Sequence, residues 1–373
     1  MTTPPPAQIG MRLDEVDTPA LIVELDAFED NLRRMAKELE GTGVRLRPHA
    51  KTHKCPVIAL QQMALGAVGV CCQKVGEAEA MVYGGVSDVL VTNQIVGAGK
   101  LRRLAALAKR ARIGVCVDDA GNLDDVASAA EEAGAVLDIY VEIEVGMGRC
   151  GVSPDRAAVA LAKRAASNPH LRFMGLLAYQ GAAQHLRSPE ERAAAIAFAA
   201  SCAGEAKALI EAAGVKCPIV TGAGTGTYRN ETASRVYNEI EPGSYIFMDA
   251  DYARNRGAGN RAFDDFRHAL FILATVMSRP KPEIAVVDAG LKALSVDSGM
   301  PGIEGVEAEY LGASDEHGKL RLGASARALK LGAKLKLIPG HCDPTVNLYD
   351  WYVGVRAGRV EAIWPIAARG AIT

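Results

Sequence analysis

The stretch VRLRPHAKTHKCP, from Val44 to Pro56, predicts a strand that runs out into a helix, with two histidines and a lysine at the junction. Because side chains alternate along a strand, one side of it is expected to carry Arg45, Arg47, His49 and Lys51. Such a row does not suit a plain apolar core. A lysine held among other cations and partly desolvated has a lowered pKa, which frees its amine to attack a carbonyl carbon. The end of this strand is therefore a candidate reactive site.

The sequence around this stretch has the pattern of repeated βα units. Short runs rich in Val and Ile alternate with longer segments dense in Ala, Leu, Glu, Lys and Arg. With an isolated strand at 19–25 set aside, the candidates before residue 250 are 44–49, 67–72, 87–92, 113–117, 137–143, 173–178, 218–221 and 244–248. Eight such repeats close a parallel barrel, so an α/β fold with a (β/α)8 TIM barrel is predicted.

The pattern changes after about residue 265. Strand-like pieces joined by Gly and Asp turns, with almost no helical periodicity, lie at 269–277, 283–288, 319–321, 334–338, 351–356 and 359–364. An all-β C-terminal domain is predicted there, and the strand at 19–25 is expected to pair with it. The predicted division is a barrel over residues 27–265 and a β domain made of residues 1–26 plus 266–373.

Composition excludes several classes of partner. The 373-residue chain is 49% hydrophobic and 23% charged, and only its Pro-rich start, MTTPPPAQ, suggests disorder. A formal net charge of −2 gives no electrostatic reason to expect a nucleic acid or an anionic membrane, so small metabolites fit better. No basic segment followed by an apolar run opens the chain, and a cytoplasmic location is expected. The eight cysteines form no CxxC pair, so a disulfide framework is not expected.

A glycine-rich run, TGAGTGT at 221–227, follows the seventh strand of the predicted barrel. Its glycines would let the backbone approach an anion, and its threonines offer hydroxyl groups. The stretch PGSY at 242–245 adds small residues at the predicted eighth strand. Loops after the seventh and eighth strands form a recurrent phosphate site of this fold. With Lys51 at the same barrel mouth, the phosphorylated carbonyl compound that fits both features is pyridoxal phosphate.

Eight stretches between Arg47 and Thr345 resemble one known family, and matches to it run in order from about Thr18 to Gly370. They are RPHAKTHKCP, GVCCQKVGEAEA, VGMGRCGV, TGAGTGT, GSYIFMDADY, DAGLKALSVDSG, SDEHG and GHCDPT. They are similar to the group of D-threonine aldolase, 3-hydroxy-D-aspartate aldolase and D-serine dehydratase. The resemblance implies pyridoxal-phosphate enzymes whose barrel, of the alanine-racemase type, is followed by a β domain.

The resemblance also implies roles for individual residues. Lys51 matches the lysine that binds the cofactor covalently. Gln73 and Tyr179 match residues that line the cofactor ring, with the tyrosine beside the pyridine nitrogen and Arg149 near the ring substituents. The residues expected to hold the phosphate are Gly224, Thr225, Gly226, Ser244 and Tyr245.

In GHCDPT, His341 and Asp343 match the metal ligands of the family. Residues two apart on a strand face the same way and can share one ion, so the pair is expected to bind manganese, magnesium or zinc. Cys342 is then expected to point to the opposite side. The dehydratases resemble this chain less here, because they carry a cysteine where it has Asp343. This difference favours an aldolase.

The implied reaction is cleavage of the Cα–Cβ bond of a D-3-hydroxy amino acid, which gives glycine and an aldehyde. The metal would bind the 3-hydroxyl, and the candidates for the base are a metal-bound hydroxide, His53, His185 and His317. A homodimer is expected, in which His341 and Asp343 of one chain complete the site that holds Lys51 of the other.

Several alternatives remain open from the sequence. Within the family they are a 3-hydroxy-D-aspartate aldolase, which gives glycine and glyoxylate, and a D-serine or D-3-hydroxyaspartate dehydratase. A cofactor-carrier protein on the same barrel would leave the β domain and the HxD pair unexplained. A barrel metallohydrolase using His49, His53 and a carbamylated Lys51 would leave the glycine run unused.

Overall fold

The computed structural model describes residues 3–373, so Met1 and Thr2 of the Pro-rich start lie outside the described residues. The strands are β1 (Ala20–Glu24), β2 (Arg45–Leu46), β3 (Val70–Cys72), β4 (Asp88–Gln94), β5 (Arg112–Val117), β6 (Leu137–Glu142), β7 (Leu171–Leu177), β8 (Ile219–Thr221), β9 (Glu239–Ile240), β10 (Leu270–Lys281), β11 (Ile284–Val287), β12 (Gly302–Ile303), β13 (Ala308–Ala313), β14 (Gly318–Leu322), β15 (Lys334–Ile338), β16 (Trp351–Arg356) and β17 (Arg359–Pro365). The α-helices are α1 (Leu25–Leu39), α2 (Pro56–Ala64), α3 (Val75–Tyr83), α4 (Ala98–Leu107), α5 (Ala120–Glu132), α6 (Arg156–Ser167), α7 (Pro189–Ala212), α8 (Tyr228–Ser234) and α9 (Cys342–Val346).

Strands β2 to β9 form a parallel barrel. Strands β3 to β8 pair in chain order, and β2 pairs with β9 in a separate two-stranded ladder. Backbone hydrogen bonds join this ladder to both of its neighbours, from Cys71 N to Pro48 O at 2.9 Å and from Glu241 N to Gly222 O at 2.7 Å. The ring is therefore closed, and the predicted (β/α)8 barrel is confirmed.

The eighth barrel strand was predicted at the wrong place. It is β9, whereas the predicted strand at 244–248 begins with a 3-10 turn, Ser244–Ile246. Tyr245, Ile246 and Phe247 are buried, so the run is apolar because it packs in the core. Periodicity does not separate such a run from a strand when it is only five residues long. The phosphate-loop prediction is unaffected, because this turn directly follows β9.

Helix α7 is the one helix among residues 3–373 with the length and composition of a membrane span. Its start is fixed by Ser188, whose hydroxyl accepts the N–H of Glu191 at 3.3 Å, and by Pro189 in the first turn. Ala199, Ala203 and Ile210 pack into the apolar core of the barrel. This packing in the core explains part of the apolar composition of α7.

The second sheet is mostly antiparallel, and β1 lies inside it. Strand β1 is antiparallel to β10 and parallel to β16, which confirms that the strand predicted at 19–25 joins the C-terminal sheet. The Pro-rich start also packs here, because the Trp351 indole N–H donates to the carbonyl of Thr3 at 2.7 Å and Ala7 is buried. Disorder was expected there from composition alone. The exact division at residues 27–265 stays a prediction.

The row of side chains at 45–51 divides between the barrel interior and its mouth. Arg47 is buried, with Nε 2.9 Å from Glu239 Oε1 and Nη1 2.6 Å from Asp88 Oδ1. Burial opposes the charge of Arg47, but the two carboxylates outweigh it and raise the pKa of Arg47. Ion pairs thus fill the amino-terminal end of the barrel. The reactive groups are therefore expected at the carboxyl-terminal end of the strands.

Replacing Arg47 with Met should destabilise the fold by about 3 kcal/mol, because it removes the buried cation that pairs with both Glu239 and Asp88. Urea unfolding followed by circular dichroism would measure the change. Arg164→Met removes an exposed ion pair to Asp124 and should cost about 1 kcal/mol or less. Equal unfolding midpoints for the two variants would contradict the importance given to the buried network.

Candidate active site

A cavity of about 340 Å³ opens at the carboxyl ends of the barrel strands. It brings together nine residues that the sequence predicted, namely Lys51, Gln73, Arg149, Tyr179, Gly224, Thr225, Ser244, His341 and Asp343. Gly226 and Tyr245, predicted to bind the phosphate, are absent from the lining. His49, Thr52, Thr92, His185, Glu241 and Tyr252 also line the cavity.

Lys51 lies in the loop between β2 and α2, with its amine 3.8 Å from Asp343 Oδ2. Burial favours the neutral amine, but the Asp343 carboxylate outweighs burial and raises the pKa of Lys51. The predicted lowering of this pKa among cations is therefore wrong in this structure. The decisive charge comes from a residue far away in the chain, which the local sequence did not reveal.

Lys51 and the predicted metal ligands meet within one chain. The prediction that His341 and Asp343 complete the site of a partner subunit is therefore wrong. The segment before α9 is tied to the barrel loop, since Ala250 N donates to Pro339 O at 2.9 Å and Cys342 N donates to Asp249 Oδ2 at 3.2 Å. These bonds hold the start of α9 over the mouth of its own barrel.

His49 forms the wall of the cavity behind Lys51. Its Nδ1 accepts the backbone N–H of Lys51 at 3.3 Å, and its Nε2 lies 3.1 Å from Thr92 Oγ1 and 2.8 Å from Gln73 Nε2. Burial, followed by the charge of Lys51, lowers the pKa of His49 well below its usual range. The ring is therefore neutral. No motif in the sequence marked Thr92, which lies within a strand.

Arg149 and Tyr179 form another part of the lining. The guanidinium of Arg149 lies 5.6 Å from the centre of the Tyr179 ring, a cation–π contact, and Nη2 is 3.8 Å from Glu142 Oε1. Burial is the main reason that the pKa of Tyr179 is raised. The phenol therefore stays protonated at neutral pH.

Two buried hydroxyl groups at the mouth of the barrel fit a phosphate, that of Thr225 in the loop after β8 and that of Thr52 in the loop after β2, beside Gly243. The Oγ1 atoms of Thr225 and Thr52 are buried and have no hydrogen-bond partner among the described residues, although both residues line the cavity. Burying an unpaired hydroxyl is unfavourable, so such atoms point to a ligand. A Cβ on Gly243 would lie 2.5 Å from Thr52 Oγ1, which explains the glycine there. Thr52 had no signal in the sequence beyond its place next to Lys51.

The glycine run is held from behind by Gln184. The Gly226 N–H donates to Gln184 Oε1 at 2.9 Å, and Gln184 Nε2 donates to Thr227 Oγ1 at 2.7 Å. Thr227 in turn donates to Glu231 Oε1 at 2.7 Å. A Cβ on Gly224 would lie 2.5 Å from Gln184 Cδ. Gly226 does not face the cavity because its amide is already used by Gln184.

Tyr245 turns into the core. Its hydroxyl accepts Gln62 Nε2 at 3.0 Å, and its ring lies 5.5 Å from that of Phe266. The family resemblance had implied a role for Tyr245 at the phosphate. The 3-10 turn points successive side chains in different directions, so Ser244 faces the cavity and Tyr245 does not.

His341 and Asp343 have the chemistry of a metal site. His341 Nδ1 lies 2.8 Å from Asp297 Oδ2, an arrangement that leaves Nε2 free to bind an ion. Asp343 Oδ1 is buried and has no hydrogen-bond partner among the described residues. Within residues 3–373, no cluster of three or more His, Cys, Asp or Glu side chains is arranged around one point. A metal bound at these two residues would therefore have few protein ligands.

The prediction that His341 and Asp343 lie on one strand was wrong. Residues 341–343 do not lie on a strand, because His341 caps α9 and Asp343 lies in its first turn. Both side chains still line the same cavity. Cys342 points away as predicted, with Sγ 3.6 Å from the carbonyl of Met248 in the core.

The structure separates the three histidines that were candidates for the base. His185 lines the cavity, and its Nδ1 lies 2.6 Å from Asp251 Oδ2. His53 is fully buried outside the lining, with Nδ1 accepting the Cys55 N–H at 3.1 Å. His317 is exposed in the turn between β13 and β14. Only His185 among these three faces the cavity.

Known proteins are similar to this chain over nearly all of its length. The family described as "Alanine racemase, N-terminal domain" matches residues 23–251, and the "Putative serine dehydratase domain" matches residues 269–355. The chain belongs to the D-threonine aldolase and D-serine dehydratase family. Membership implies pyridoxal phosphate as the cofactor, and Lys51, Thr225, Thr52 and Ser244 are the lining residues that fit it.

Two curated relatives are about equally similar to the chain. D-threonine aldolase of Arthrobacter sp. is 49% identical over 98% of this chain and 96% of its own length. 3-Hydroxy-D-aspartate aldolase of Paracoccus denitrificans (strain Pd 1222) is 50% identical over 98% and 95%. The solved D-threonine aldolase of Filomicrobium marinum is 50% identical, with a TM-score of 0.96 over 99% of this chain and all of that one. Curated dehydratases are 31% identical or less.

Replacing Gln184 with Ala should weaken binding of pyridoxal phosphate by about tenfold or more, because the glycine run loses its two anchoring hydrogen bonds. Affinity for pyridoxal, which lacks the phosphate, should stay within about twofold, since a phosphate site contributes nothing to it. Both constants can be measured by fluorescence titration. Gln61→Ala, on the partly exposed side of α2, is the matched control. Equal losses for the two compounds would contradict the role of Gln184.

Proposed function

We propose that this protein is an aldolase, dependent on pyridoxal phosphate and a divalent metal, that cleaves D-3-hydroxy amino acids to glycine and an aldehyde. The observation that carries the proposal is that Lys51, two orphaned threonine hydroxyls and the His341–Asp343 pair line one cavity. The 49% and 50% identities to two aldolases support it. The lower identity of the dehydratases makes dehydration the weaker alternative.

The cofactor, when bound, would delocalise the negative charge left on Cα when the Cα–Cβ bond breaks. Lys51 would hold its aldehyde carbon, and Gly224, Thr225 and Ser244, with Thr52, would hold its phosphate. Gln73 and Tyr179 would line its ring. Tyr179 is buried beside Arg149, so its phenol would stay neutral and position the ring without adding charge.

His341 and Asp343 would hold the metal, for which Mn²⁺ and Mg²⁺ are the first candidates and Zn²⁺ the third. The ion would lower the pKa of the substrate 3-hydroxyl, which must lose its proton for Cα–Cβ cleavage. Asp297 would fix the ring of His341 through its contact with Nδ1, as carboxylates commonly do behind metal-binding histidines.

His185 would take the proton from the 3-hydroxyl. Asp251 lies 2.6 Å from its Nδ1, so a neutral His185 carries its proton there and offers the lone pair of Nε2 as the base. The same Asp251 binds Arg187 at 2.6 Å, which keeps the carboxylate ionised and the ring oriented. Burial alone would raise the pKa of Asp251. The hydrogen bonds that Asp251 accepts, of which the one from Arg187 has the largest effect, outweigh burial and lower this pKa.

The charges around the cavity favour a substrate with one carboxylate, such as D-threonine. Besides the neutral His49, the lining side chains that are able to carry a positive charge are Lys51, Arg149, His185 and His341. Three of them have other roles in this proposal, which leaves Arg149 for the carboxylate on Cα. A second carboxylate would have the metal as its partner, and 3-hydroxy-D-aspartate therefore remains the second candidate, on the strength of the 50% identity to its aldolase. A cytoplasmic homodimer remains part of this proposal, with each cavity lined from within one chain.

The purified protein should release glycine and acetaldehyde from D-threonine, benzaldehyde from D-phenylserine, and, at a lower rate, glyoxylate from D-3-hydroxyaspartate. Chromatography of the products would give the three rates. Borohydride should fix the cofactor on Lys51, and Lys51→Ala should abolish both the label and the cleavage. Ammonia and a keto acid as products, or a label on Lys54 or Lys74, would refute the assignment.

Chelation should stop aldehyde release while the cofactor stays bound, and Mn²⁺ or Mg²⁺ should restore it. Asp343→Ala should behave like the chelated protein, because one of two protein ligands is lost. Asp297→Asn should weaken Mn²⁺ binding by about 10- to 100-fold, measured by calorimetry, since it loosens His341. Asp315→Asn, on an exposed turn of the same domain, is the control. Full activity in thoroughly metal-free protein would exclude the metal role.

A further inference from the structure

Tyr252 lines the cavity beside the proposed base, and the proposed reaction leaves its hydroxyl without a role. Its ring lies next to that of His185, with the ring centres 6.0 Å apart and the planes at 29°. The N–H of Tyr252 donates to Asp249 Oδ1 at 3.0 Å, so the 3-10 turn Tyr252–Arg254 is fixed at the cavity. Its hydroxyl has no hydrogen-bond partner within residues 3–373. A free hydroxyl in a binding cavity is available to a ligand.

The hydroxyl of Tyr252 is a hydrogen-bond donor at neutral pH. Burial raises the pKa of Tyr252 well above its usual range, and the neighbouring Tyr179, Asp249 and Asp343 raise it further. The phenol therefore keeps its proton. It can donate this proton in a hydrogen bond to an anionic group of the substrate.

The neighbours of Tyr252 place it beside Cβ of the substrate. In the proposed reaction the 3-hydroxyl lies between the metal ligands, His341 and Asp343, and the base, His185. The ring of Tyr252 lies next to His185, and the charge of Asp343 acts on its hydroxyl. The far end of the substrate is bound to the same carbon as the 3-hydroxyl. Tyr252 is therefore next to the part in which D-threonine, D-phenylserine and 3-hydroxy-D-aspartate differ.

Other neutral donors in the lining have partners or roles elsewhere. Gln73 and Thr92 contact the ring of His49. Tyr179 contacts Arg149 and belongs with the cofactor ring in the proposed function. The remaining hydroxyls are assigned to the phosphate, and they are those of Thr52, Thr225 and Ser244. Tyr252 is thus the neutral donor next to the metal ligands.

The arginines nearest to Tyr252 are held away from the substrate. Arg187 and Arg254 both bind the carboxylate of Asp251, and neither lines the cavity. A cation in place of Tyr252 would also pair with Asp343 and compete with the metal for it. A phenol donates a hydrogen bond without this competition.

We propose that the Tyr252 hydroxyl binds a carboxylate on Cβ of the substrate and so determines how well 3-hydroxy-D-aspartate is accepted. This inference rests on the proposed function and adds a specificity-determining residue to it. A carboxylate forms a charge-assisted hydrogen bond with the phenol, which is stronger than the bond to the water that it displaces. A methyl or phenyl group offers no acceptor, so D-threonine and D-phenylserine gain nothing from the hydroxyl.

Tyr252→Phe removes only the hydroxyl, and its effect should depend on the substrate. In holoenzyme with Mn²⁺, kcat/KM for D-3-hydroxyaspartate should fall about tenfold, the scale of one hydrogen bond to a charged group. The values for D-threonine and D-phenylserine should stay within about twofold, because no bond is lost. Tyr83→Phe, at an exposed tyrosine of α3, should leave all three rates unchanged. Equal losses on the three substrates would indicate a structural role alone and overturn the proposal.

Binding of two compounds that lack the 3-hydroxyl, and so cannot be cleaved, gives a second measurement. In absorption titrations of the holoenzyme, Tyr252→Phe should weaken D-aspartate about tenfold and leave D-2-aminobutyrate within about twofold. An unchanged affinity for D-aspartate would overturn the proposal. If Tyr252→Phe does not fold, 3-fluorotyrosine at position 252 decides instead. It is a stronger donor of nearly the same shape, so it must tighten D-aspartate alone.

Failure of this inference can be distinguished from failure of the proposed function. Wild-type protein that cleaves all three substrates, with an equal effect of Tyr252→Phe on each, would leave the function and overturn the role of Tyr252. Wild-type protein that releases no aldehyde, but loses D-aspartate binding in Tyr252→Phe, would contradict the function and leave Tyr252 as the carboxylate partner.

Discussion

The buried carboxylate of Asp249 holds the C-terminal domain against the mouth of the barrel. Its Oδ2 accepts the N–H of Cys342 at 3.2 Å, and its Oδ1 accepts the N–H of Tyr252 at 3.0 Å. One side chain thus fixes both the start of α9 and a residue of the cavity lining. Because of this bridge, Asp343 comes within 3.8 Å of Lys51. The lysine and the HxD pair would otherwise belong to separate halves of the molecule.

The functional side chains of the cavity come from the ends of different strands, and each strand end has its own electrostatic environment. Behind Lys51, burial keeps His49 neutral, so the wall of the cavity adds no positive charge. The loops after β8 and β2 present uncharged hydroxyls from Thr225 and Thr52. Acidic groups are confined to the side of α9 and to Glu241. This separation allows an anionic phosphate and a cationic metal to be bound a short distance apart in one cavity.

Much of this arrangement was predictable because it depends on local pattern. Seven of the eight barrel strands lie at the places predicted. Barrel strands are buried on both sides, so six of these seven appear as short apolar runs, and β2 with its arginines is the exception. The glycine run and Lys51 could be recognised from the sequence, because a glycine-rich loop or a lysine at the end of a barrel strand has few roles other than binding a ligand. The eighth strand was predicted at the wrong place, because the buried 3-10 turn at 244–246 has the same apolar composition as a strand. Gly226 and Tyr245 lie outside the cavity lining, because the direction of a loop is set by its contacts, here those with Gln184 and Gln62.

The sequence by itself determined the barrel, the family, and the residue types at the strand ends, because these depend on periodicity and on short motifs. Only the tertiary structure decided which of those residues meet. It paired Asp343 with Lys51 and so raised the pKa of a lysine that its neighbours in the chain would lower. It also separated His185 from His53 and placed Glu241 inside the barrel. The physical reason is that charge and hydrogen bonding act through space over a few ångströms, whereas the residues concerned are up to about three hundred positions apart in the chain.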